Sequence, residues 1–491
     1  MRRRDFIRSL SAVGALAIPF NSIRTLAQAG AGQSPNIIFI LADDQGWTDL
    51  SFPTDKSVPG SCWKYFNTPQ IKSIADAGMS FTNAYAPAPI CTPTRRSIQW
   101  GMTPARQRGT EFFSDFVKGE HQTIPEVLKQ INPAYKAGHF GKSGTPLIGK
   151  SWTDCTPYDP VKVLKYDESD GCTENPVGGF TAKSPQQHVL APDPDPKRAF
   201  TVTDRSISFI ERCHASGNPF YLQVSHYAIH TNWQARQETI EKYKYLESVN
   251  YDKRVPWQLG AMEEELDINV GRLLKRVKDL GIEDNTYIFY SSDNGGEGVN
   301  DYDQAARPDR NYPLKARKQS LYEGGIRVPF FVKGPSITAG SACGVPVCLF
   351  DLLPTFHDLA GGKVKLAADI DGVSLKDILF HNGKGELARE AGGLVFHRPY
   401  SSGTPENYAF KSSAFRCGDY KIVVLWGDTY DQKTIQLYNL KDDIGELNDL
   451  ASSMPQKRES LYKMLVTYLT KVNAERPKDT NKVEWKDFGT I

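Results

Sequence analysis

The chain has almost no surplus charge of either sign. Its 59 basic and 57 acidic residues leave a formal net charge of +2, so no global field draws it to nucleic acid or to an acidic membrane. Any ionic partner must be recognised locally. There is no internal repeat and no low-complexity tract, which excludes repeat arrays. Beyond an N-terminal run from Leu10 to Phe20, no window approaches the ~20 apolar residues of a membrane span. None of the 8 cysteines has the C-x-x-C spacing of a zinc or redox motif.

What is present begins with that N-terminus. Arg3-Arg4-Asp5-Phe6-Ile7-Arg8, the apolar run and Ala27-Gln28-Ala29 follow the order of a twin-arginine export signal with an A-x-A cleavage site. Residues 1–29 therefore read as a signal peptide handled by the twin-arginine translocation machinery. The mature chain is expected to start near Gly30 and to be periplasmic or secreted, without stable membrane insertion. An oxidising destination permits disulfides. Proximity pairs Cys155 with Cys172 and Cys343 with Cys348, and with Cys91 set aside at least one more thiol is left over.

A length of 491 residues fits one large α/β domain with a smaller companion. Asn36-Ile37-Ile38-Phe39-Ile40-Leu41-Ala42 is apolar without alternation, as a strand buried on both faces would be, and it ends in Asp43-Asp44-Gln45-Gly46. The same grammar returns downstream, where the strand Thr286 to Ser291 leads into Asp293-Asn294-Gly295-Gly296. Between them a helix is expected from Trp257 to Leu280, with Met262, Leu266, Val270, Leu273 and Val277 on one stripe and Glu263, Glu264, Lys275 and Lys278 off it. Strand, helix, strand with loops at the carboxyl ends is the logic of a doubly wound, mostly parallel sheet flanked by helices.

Further strands are expected at Phe220 to Ser225 and Val328 to Val332, and helices after Cys91, from Ile124 to Gln130 and across Thr203 to Cys213. Lys150 to Pro196 shows no periodicity and reads as an irregular insertion near the active face. Past Asp371 the pattern changes to short antiparallel strands closed by a helix from Met454 to Val472. The expected domains are thus 35–375, catalytic, and 376–491, a C-terminal α+β subdomain with its own antiparallel sheet.

Asp43, Asp44, Asp293 and Asn294 are hard oxygen donors delivered by two strand ends, a set that suits Ca²⁺ or Mg²⁺ and not zinc. An acid pair after a strand also makes an ordinary solvated turn, but the recurrence at matching positions favours a metal. Cys91, with Pro93 in the first helical turn and Arg95 one turn on, reads as a nucleophile at a helix mouth, where exposed N–H groups suit a sulfate or phosphate. Lys142 and Lys318 are candidates for the cationic side. His230 ends a loop after a buried strand, with His226 as the competing histidine.

The ordered segments Asn36 to Gly46, Cys91 to Arg95, Gly141-Lys142, Pro219 to His230, Ser292 to Gly296, Leu321 to Pro329, Asp351 to Thr355 and Leu437 to Asp449 resemble the type I, formylglycine-dependent sulfatases of the alkaline phosphatase superfamily. The resemblance spans Pro35 to about Leu450. It implies that Cys91 is oxidised to formylglycine by a formylglycine-generating enzyme, and that the aldehyde hydrate is the nucleophile. It also implies one calcium ion, preferred over Mg²⁺, among Asp43, Asp44, residue 91, Asp293 and Asn294. Arg95, Lys142 and Lys318 would bind the sulfate, with Asp293 as base and His230 as proton donor to the departing alcohol.

Two departures stand out. Gly144 lies where the family commonly has a histidine contacting formylglycine, leaving His139, His226 or a water to take over. Gln99-Trp100 replaces a usual Leu-Thr or Leu-Ser. Export, the insertion and the aromatics Trp47, Trp63, Trp233, Trp257 and Tyr312 favour a sulfated carbohydrate as substrate, although most of these rings are expected to be core or loop anchors and no single one is assigned to it. The competing expectations are a phosphodiesterase or phosphonate monoester hydrolase of the same superfamily, and a non-catalytic protein that binds sulfated glycans.

Overall fold

The computed structural model describes residues 34–63, 65–112, 121–144, 159–178, 194–249, 257–298, 310–400 and 410–489, all within the unit Ser34–Ile491. The expected export signal and Cys155 lie outside the described residues. In chain order the strands are β1 (Asn36–Ala42), β2 (Met79–Phe81), β3 (Ala84–Tyr85), β4 (Lys136–Gly141), β5 (Glu168–Ser169), β6 (Phe220–Ser225), β7 (Thr286–Ser292), β8 (Phe330–Lys333), β9 (Ser341–Cys343), β10 (Val347–Cys348), β11 (Leu394–Arg398), β12 (Ser412–Cys417), β13 (Tyr420–Trp426) and β14 (Lys433–Asn439). The α-helices are α1 (Pro69–Asp76), α2 (Cys91–Trp100), α3 (Pro104–Gln107), α4 (Ile124–Ile131), α5 (Ala199–Ala215), α6 (Gln237–Val249), α7 (Trp257–Asp279), α8 (Glu323–Ile326), α9 (Leu352–Leu359), α10 (Lys376–Phe380) and α11 (Pro455–Lys471).

Eight strands form one sheet in the order β5-β4-β6-β1-β7-β8-β2-β9. β1 pairs parallel with β6 and β7, and β4 parallel with β6, so the carboxyl ends of all four lie at one edge of the sheet. β8 runs antiparallel to β7. Its ladder begins at Phe330 and not at Val328: Pro329 has no N–H to give, and the Val328 N–H donates instead to the Ala84 carbonyl.

The unalternating character of β1 has its reason in two separate cores. Ile38, Ile40 and Ala42 pack with α1, α5, α6 and α7 on one face, while Ile37, Phe39 and Leu41 pack with α2, α4, α9 and α10 on the other. Each such aliphatic side chain contributes about 1.5–3 kcal/mol on burial, which holds the strand ends in fixed register. The α7 stripe is buried as expected, but so are Glu263 and Glu264, because α6 and the β1 loop also pack on this helix. Glu264 is paired with Lys242, and Glu263 accepts from the Gln45 carboxamide.

The strands β11 to β14 form a separate antiparallel sheet. Alternation along β13 sends Ile422 and Val424 against α11 and Val423 toward Tyr85, Tyr322 and Ile326 of the larger sheet's loops. Two expectations are corrected. The stretch after Lys150 is not wholly irregular, since β5 extends the sheet beside β4 and Asn175–Gly178 form a 3₁₀ turn. Cys343 and Cys348 are free thiols, because Cys343 faces the α9 core while Cys348 faces the β11–β14 side and its sulfur caps the turn at Asp351.

Candidate active site at the carboxyl ends of the central strands

Asp43 and Asp44 leave the end of β1, and Asp293 leaves the end of β7. Backbone bonds weld these ends together: the Asp43 N–H donates to Ala228 O at 2.8 Å, Ile229 N–H to Asp43 O at 2.7 Å and Asp293 N–H to Ala42 O at 3.2 Å. Asp44 adopts a left-handed backbone conformation with φ of 60°, which acids tolerate better than bulky residues, and its N–H donates to Asp293 Oδ1 at 3.1 Å. One carboxylate oxygen from each of Asp43, Asp44 and Asp293 lies within 4.8 Å of the others. Asn294 donates through Nδ2 to Asp44 Oδ1 at 2.8 Å, and its buried Oδ1 has no hydrogen-bond partner.

Cations interleave with these acids. Lys142 Nζ donates to Asp43 at 2.7 and 3.0 Å, and Lys318 Nζ to Asp44 at 2.6 Å. Arg95 reaches Asp293 Oδ2 through Nε at 2.9 Å and through its terminal nitrogen at 2.7 Å, and it also donates to the Lys142 carbonyl at 2.8 Å. All of these side chains are buried. The carboxylates do not behave alike. Burial pushes each one up, but Lys142, His230 and Arg95 outweigh it at Asp43, and Lys318 and His230 at Asp44, holding both below the usual carboxylate range. At Asp293 burial prevails over Arg95, and Asp43 adds to it, so that group is pushed up to about 7.

Cys91 opens α2 and is buried. Its thiol is pushed up to about 11, by burial first, with Asp293 and Asp43 adding to it and Lys142 and Lys318 opposing. These surroundings favour the protonated thiol over the thiolate at residue 91. His230 lies with Nε2 3.6 Å from Asp44 Oδ2, and burial, then Lys318, lowers it to about 3. His226, its competitor, is fully buried, and among the described residues neither of its ring nitrogens has a hydrogen-bond partner.

Several residues around the site carried no distinguishing sequence signal. Glu174 is buried with one carboxylate oxygen unpartnered, and burial pushes it up to about 7 against the pull of Lys142 and Arg95. Asn175 meets His230 Nε2 at 3.2 Å. Lys197 is buried and lowered to about 7 by burial, with its Nζ on Gly178 O at 2.9 Å. Glu174 and Asn175 lie within the aperiodic insertion and Lys197 directly follows it, where no pattern sets one polar residue apart. Glu297, 3.8 Å from Lys318, continues the loop after Asn294, which was the available clue.

Most of the aromatic set serves as anchors, as expected. Trp47, Trp63 and Trp233 are buried anchors, and Trp257 packs against the core, leaving Tyr312 as the exposed ring of that set. Trp100 likewise packs inward near His121, and Gln99 donates to Gln223, so that departure belongs to helix packing.

Acids at the carboxyl ends of two parallel strands are thus interleaved with lysine and arginine beside a helix mouth, in a mixed α/β fold. Residues 35–362 match the family model described as Sulfatase, and residues 316–475 match N-sulphoglucosamine sulphohydrolase, C-terminal. The chain belongs to the sulfatase family, which comprises hydrolases of sulfuric esters. A sulfatase of Formosa agariphila is 26% identical over 87% of this chain and 86% of its own. The N-acetylgalactosamine-6-sulfatase of Mus musculus is 27% identical over 73% of this chain and 68% of its own. Among solved structures, Ps i-CgsB in complex with k-i-k-neocarrahexaose aligns with a TM-score of 0.68 at 24% identity, covering 89% of this chain and 93% of that one.

Proposed function

We propose that this sulfatase removes sulfate from a sulfated carbohydrate outside the cytoplasm, using formylglycine made from Cys91 and one calcium ion. The observation that carries the reading is the meeting of Asp43, Asp44 and Asp293 within 4.8 Å, with Lys142, Lys318 and Arg95 between them. The relatives support the substrate class, since one is named for a sulfated amino sugar and a structural neighbour was solved with a neocarrahexaose.

The residues fit the cation. Asp43, Asp44, Asp293 and Asn294 offer oxygen alone, and the orphaned Asn294 Oδ1 is a buried acceptor that a hard cation would satisfy. Residue 91 would join this set. When bound, calcium supplies positive charge against the sulfate oxygens and favours a deprotonated hydroxyl close by. The hydrated aldehyde at residue 91 supplies one hydroxyl to attack sulfur and a second by which the aldehyde is regenerated.

The chain's own side chains do the rest. Lys142, Lys318 and Arg95 bind and orient the equatorial oxygens, where charge builds during displacement. Asp293, at the end of β7 beside residue 91, accepts a proton. In its protonated form His230 delivers a proton to the leaving oxygen through Nε2, since its Nδ1 is engaged by the Thr231 carbonyl. Residues 35–375 supply this site and residues 376–491 flank it, after export on the twin-arginine pathway and oxidation by a formylglycine-generating enzyme.

Mass spectrometry of the chain from its native host tests the reading, with kinetics on sulfated oligosaccharides and on a model phosphodiester. The expected result is residue 91 as an aldehyde, with CH₂SH replaced by CHO, and sulfate release far faster than phosphodiester cleavage. An intact Cys91 thiol in an active enzyme would overturn the nucleophile, and preferred phosphodiester cleavage would overturn the substrate class.

A further inference from the structure

Lys318 stands in a turn outside any helix or strand, and the stretch from Lys315 to Glu323 is fastened at short intervals to the C-terminal antiparallel sheet. Lys315 Nζ donates to the Tyr438 hydroxyl on β14 and to the Glu446 carbonyl, each at 3.2 Å. Lys421 Nζ on β13 donates to the Glu323 carboxylate at 2.8 Å. The contact next to Lys318 itself belongs to Arg398, the last residue of β11. Its Nη1 donates to the Gln319 carbonyl at 2.7 Å, while Nε and Nη2 hold the Glu111 carboxylate at 2.6 and 3.3 Å. Arg398 is 2% exposed, so water does not compete for these partners.

The backbone of Gln319 makes this contact matter. It is left-handed, with φ of 77°, a conformation disfavoured for any residue that carries a Cβ. Such a residue stays there only where its surroundings over-determine it. Here both backbone groups of Gln319 are engaged: the N–H donates to the Pro89 carbonyl at 2.8 Å, two residues ahead of Cys91, and the carbonyl accepts from Arg398. Lys318 is pinned on its other side, since its own N–H donates to the Gly296 carbonyl at 3.1 Å. The side chain that leaves this turn reaches Asp44 at 2.6 Å. Release of the Gln319 carbonyl would let φ return to the ordinary negative region, which swings Lys318 relative to the residues that follow it.

We propose that Arg398 is a positioning residue for Lys318: by holding the Gln319 carbonyl it fixes the turn that aims the ammonium at the acid cluster. The effect on substrate rests on the function proposed above, in which Lys318 binds sulfate oxygens; the positioning does not. Arginine suits the task, because one planar fork serves the Glu111 carboxylate and the carbonyl together, whereas a lysine ammonium is a point charge on a flexible stem. The C-terminal sheet thus acts on the site through the backbone that carries Lys318.

The test uses the full mature chain with Arg398→Lys, Arg398→Ala and Lys318→Ala, and with each Arg398 variant combined with Lys318→Ala. Arg398→Lys keeps a charge against Glu111 and loses the fork, so it remains informative if the alanine variant fails to fold. In urea denaturation the midpoint losses of Arg398→Lys and Lys318→Ala should be less than additive, because release of the turn already loosens Lys318 from Asp44. With the sulfated oligosaccharide that the parent turns over fastest, KM should rise about fivefold in Arg398→Lys while kcat stays within about twofold. The same substitution should leave KM unchanged once Lys318 is replaced by alanine. A residue that only stabilises the fold would add the same loss in both backgrounds. Additive midpoint losses, or an equal rise in KM with and without Lys318, overturn the assignment. A parent that releases no sulfate while the midpoint losses stay less than additive would instead count against the functional reading and leave the positioning of Lys318 standing.

Discussion

Arg95 occupies the space over Gly144: a Cβ built on that glycine, whose φ is +57°, falls 2.1 Å from Arg95 Cδ and 2.9 Å from Nε. The position where the sequence resemblance implies a histidine is closed here by the arginine that grips Asp293 and the Lys142 carbonyl. Gly144→His should therefore not improve catalysis. It should push Arg95 off Asp293 and lower kcat/KM by about tenfold or more, as loss of a buried, charge-assisted contact in the site does. Steady-state kinetics check this, and a gain in turnover would contradict the packing argument.

Cys91→Ser should abolish turnover, with a loss of about a thousandfold or more, while leaving the melting temperature nearly unchanged. The serine keeps the volume of a buried side chain at the head of α2, so the fold has little to lose. The nucleophile is lost because serine in place of cysteine withholds the group that is oxidised. Kinetics and thermal denaturation of the same preparation separate the two effects.

Much of this site was legible because strand patterning is coarse and robust. A seven-residue apolar run ending in Asp43-Asp44, and a second ending before Asp293-Asn294, were enough to place the acids at one edge of a doubly wound sheet. The helices α2, α4, α5, α7 and α11 follow from periodicity for the same reason. What escaped depends on reach across the fold. Asn175 and Glu174 enter the site through contacts of Thr173 and Gly178, which no local pattern encodes. That most of the tryptophans are anchors was expected, but which ones they are, Trp47, Trp63 and Trp233, is seen only in their burial. Cys343 and Cys348 are near in sequence, but they face different cores.

Glu174 should make stability fall as pH rises through neutrality. Burial raises its folded-state value from 4.5 to about 7, so its contribution is fully present below about 4.5 and is lost as the pH passes about 7, where the unfolded chain has already released the proton. Glu174→Gln imitates the protonated acid and should remove this dependence. The gain in stability of the variant over the parent should grow between about pH 5 and pH 8, to at most about 3 kcal/mol in chelator-treated protein. Urea denaturation at both pH values measures it, and a gain that does not change with pH would show that the folded carboxyl is ionised throughout.

Lys318→Ala should raise KM about tenfold and destabilise the metal-free protein. Burial alone would lower Lys318, but Asp44 and Glu297 outweigh it and keep the ammonium charged, so removing it strands Asp44 as a buried carboxylate. Breaking such a pair from one side costs about 3–5 kcal/mol. Added calcium should recover part of the lost stability, because the same carboxylate is a proposed ligand. Thermal melts with and without calcium read this directly, and identical losses in both would separate Asp44 from the metal.

Removal of divalent cations should lower activity and melting temperature together, but the loss of stability should be modest. The acids are not left bare without a metal, since Lys142 covers Asp43, Lys318 covers Asp44 and Arg95 covers Asp293. The stability lost is then the binding free energy of the ion alone, about 2.7 kcal/mol when free calcium stands at 100 times its Kd. Catalysis should suffer more, because on the proposed reading the same lysines and arginine cannot cover the acids and grip an incoming sulfate at once. Titrating calcium into chelated enzyme while following melting temperature and sulfate release should give one common midpoint. A chelated enzyme with undiminished turnover and an unchanged melt would remove the metal from the site and leave the cage as a set of buried ion pairs.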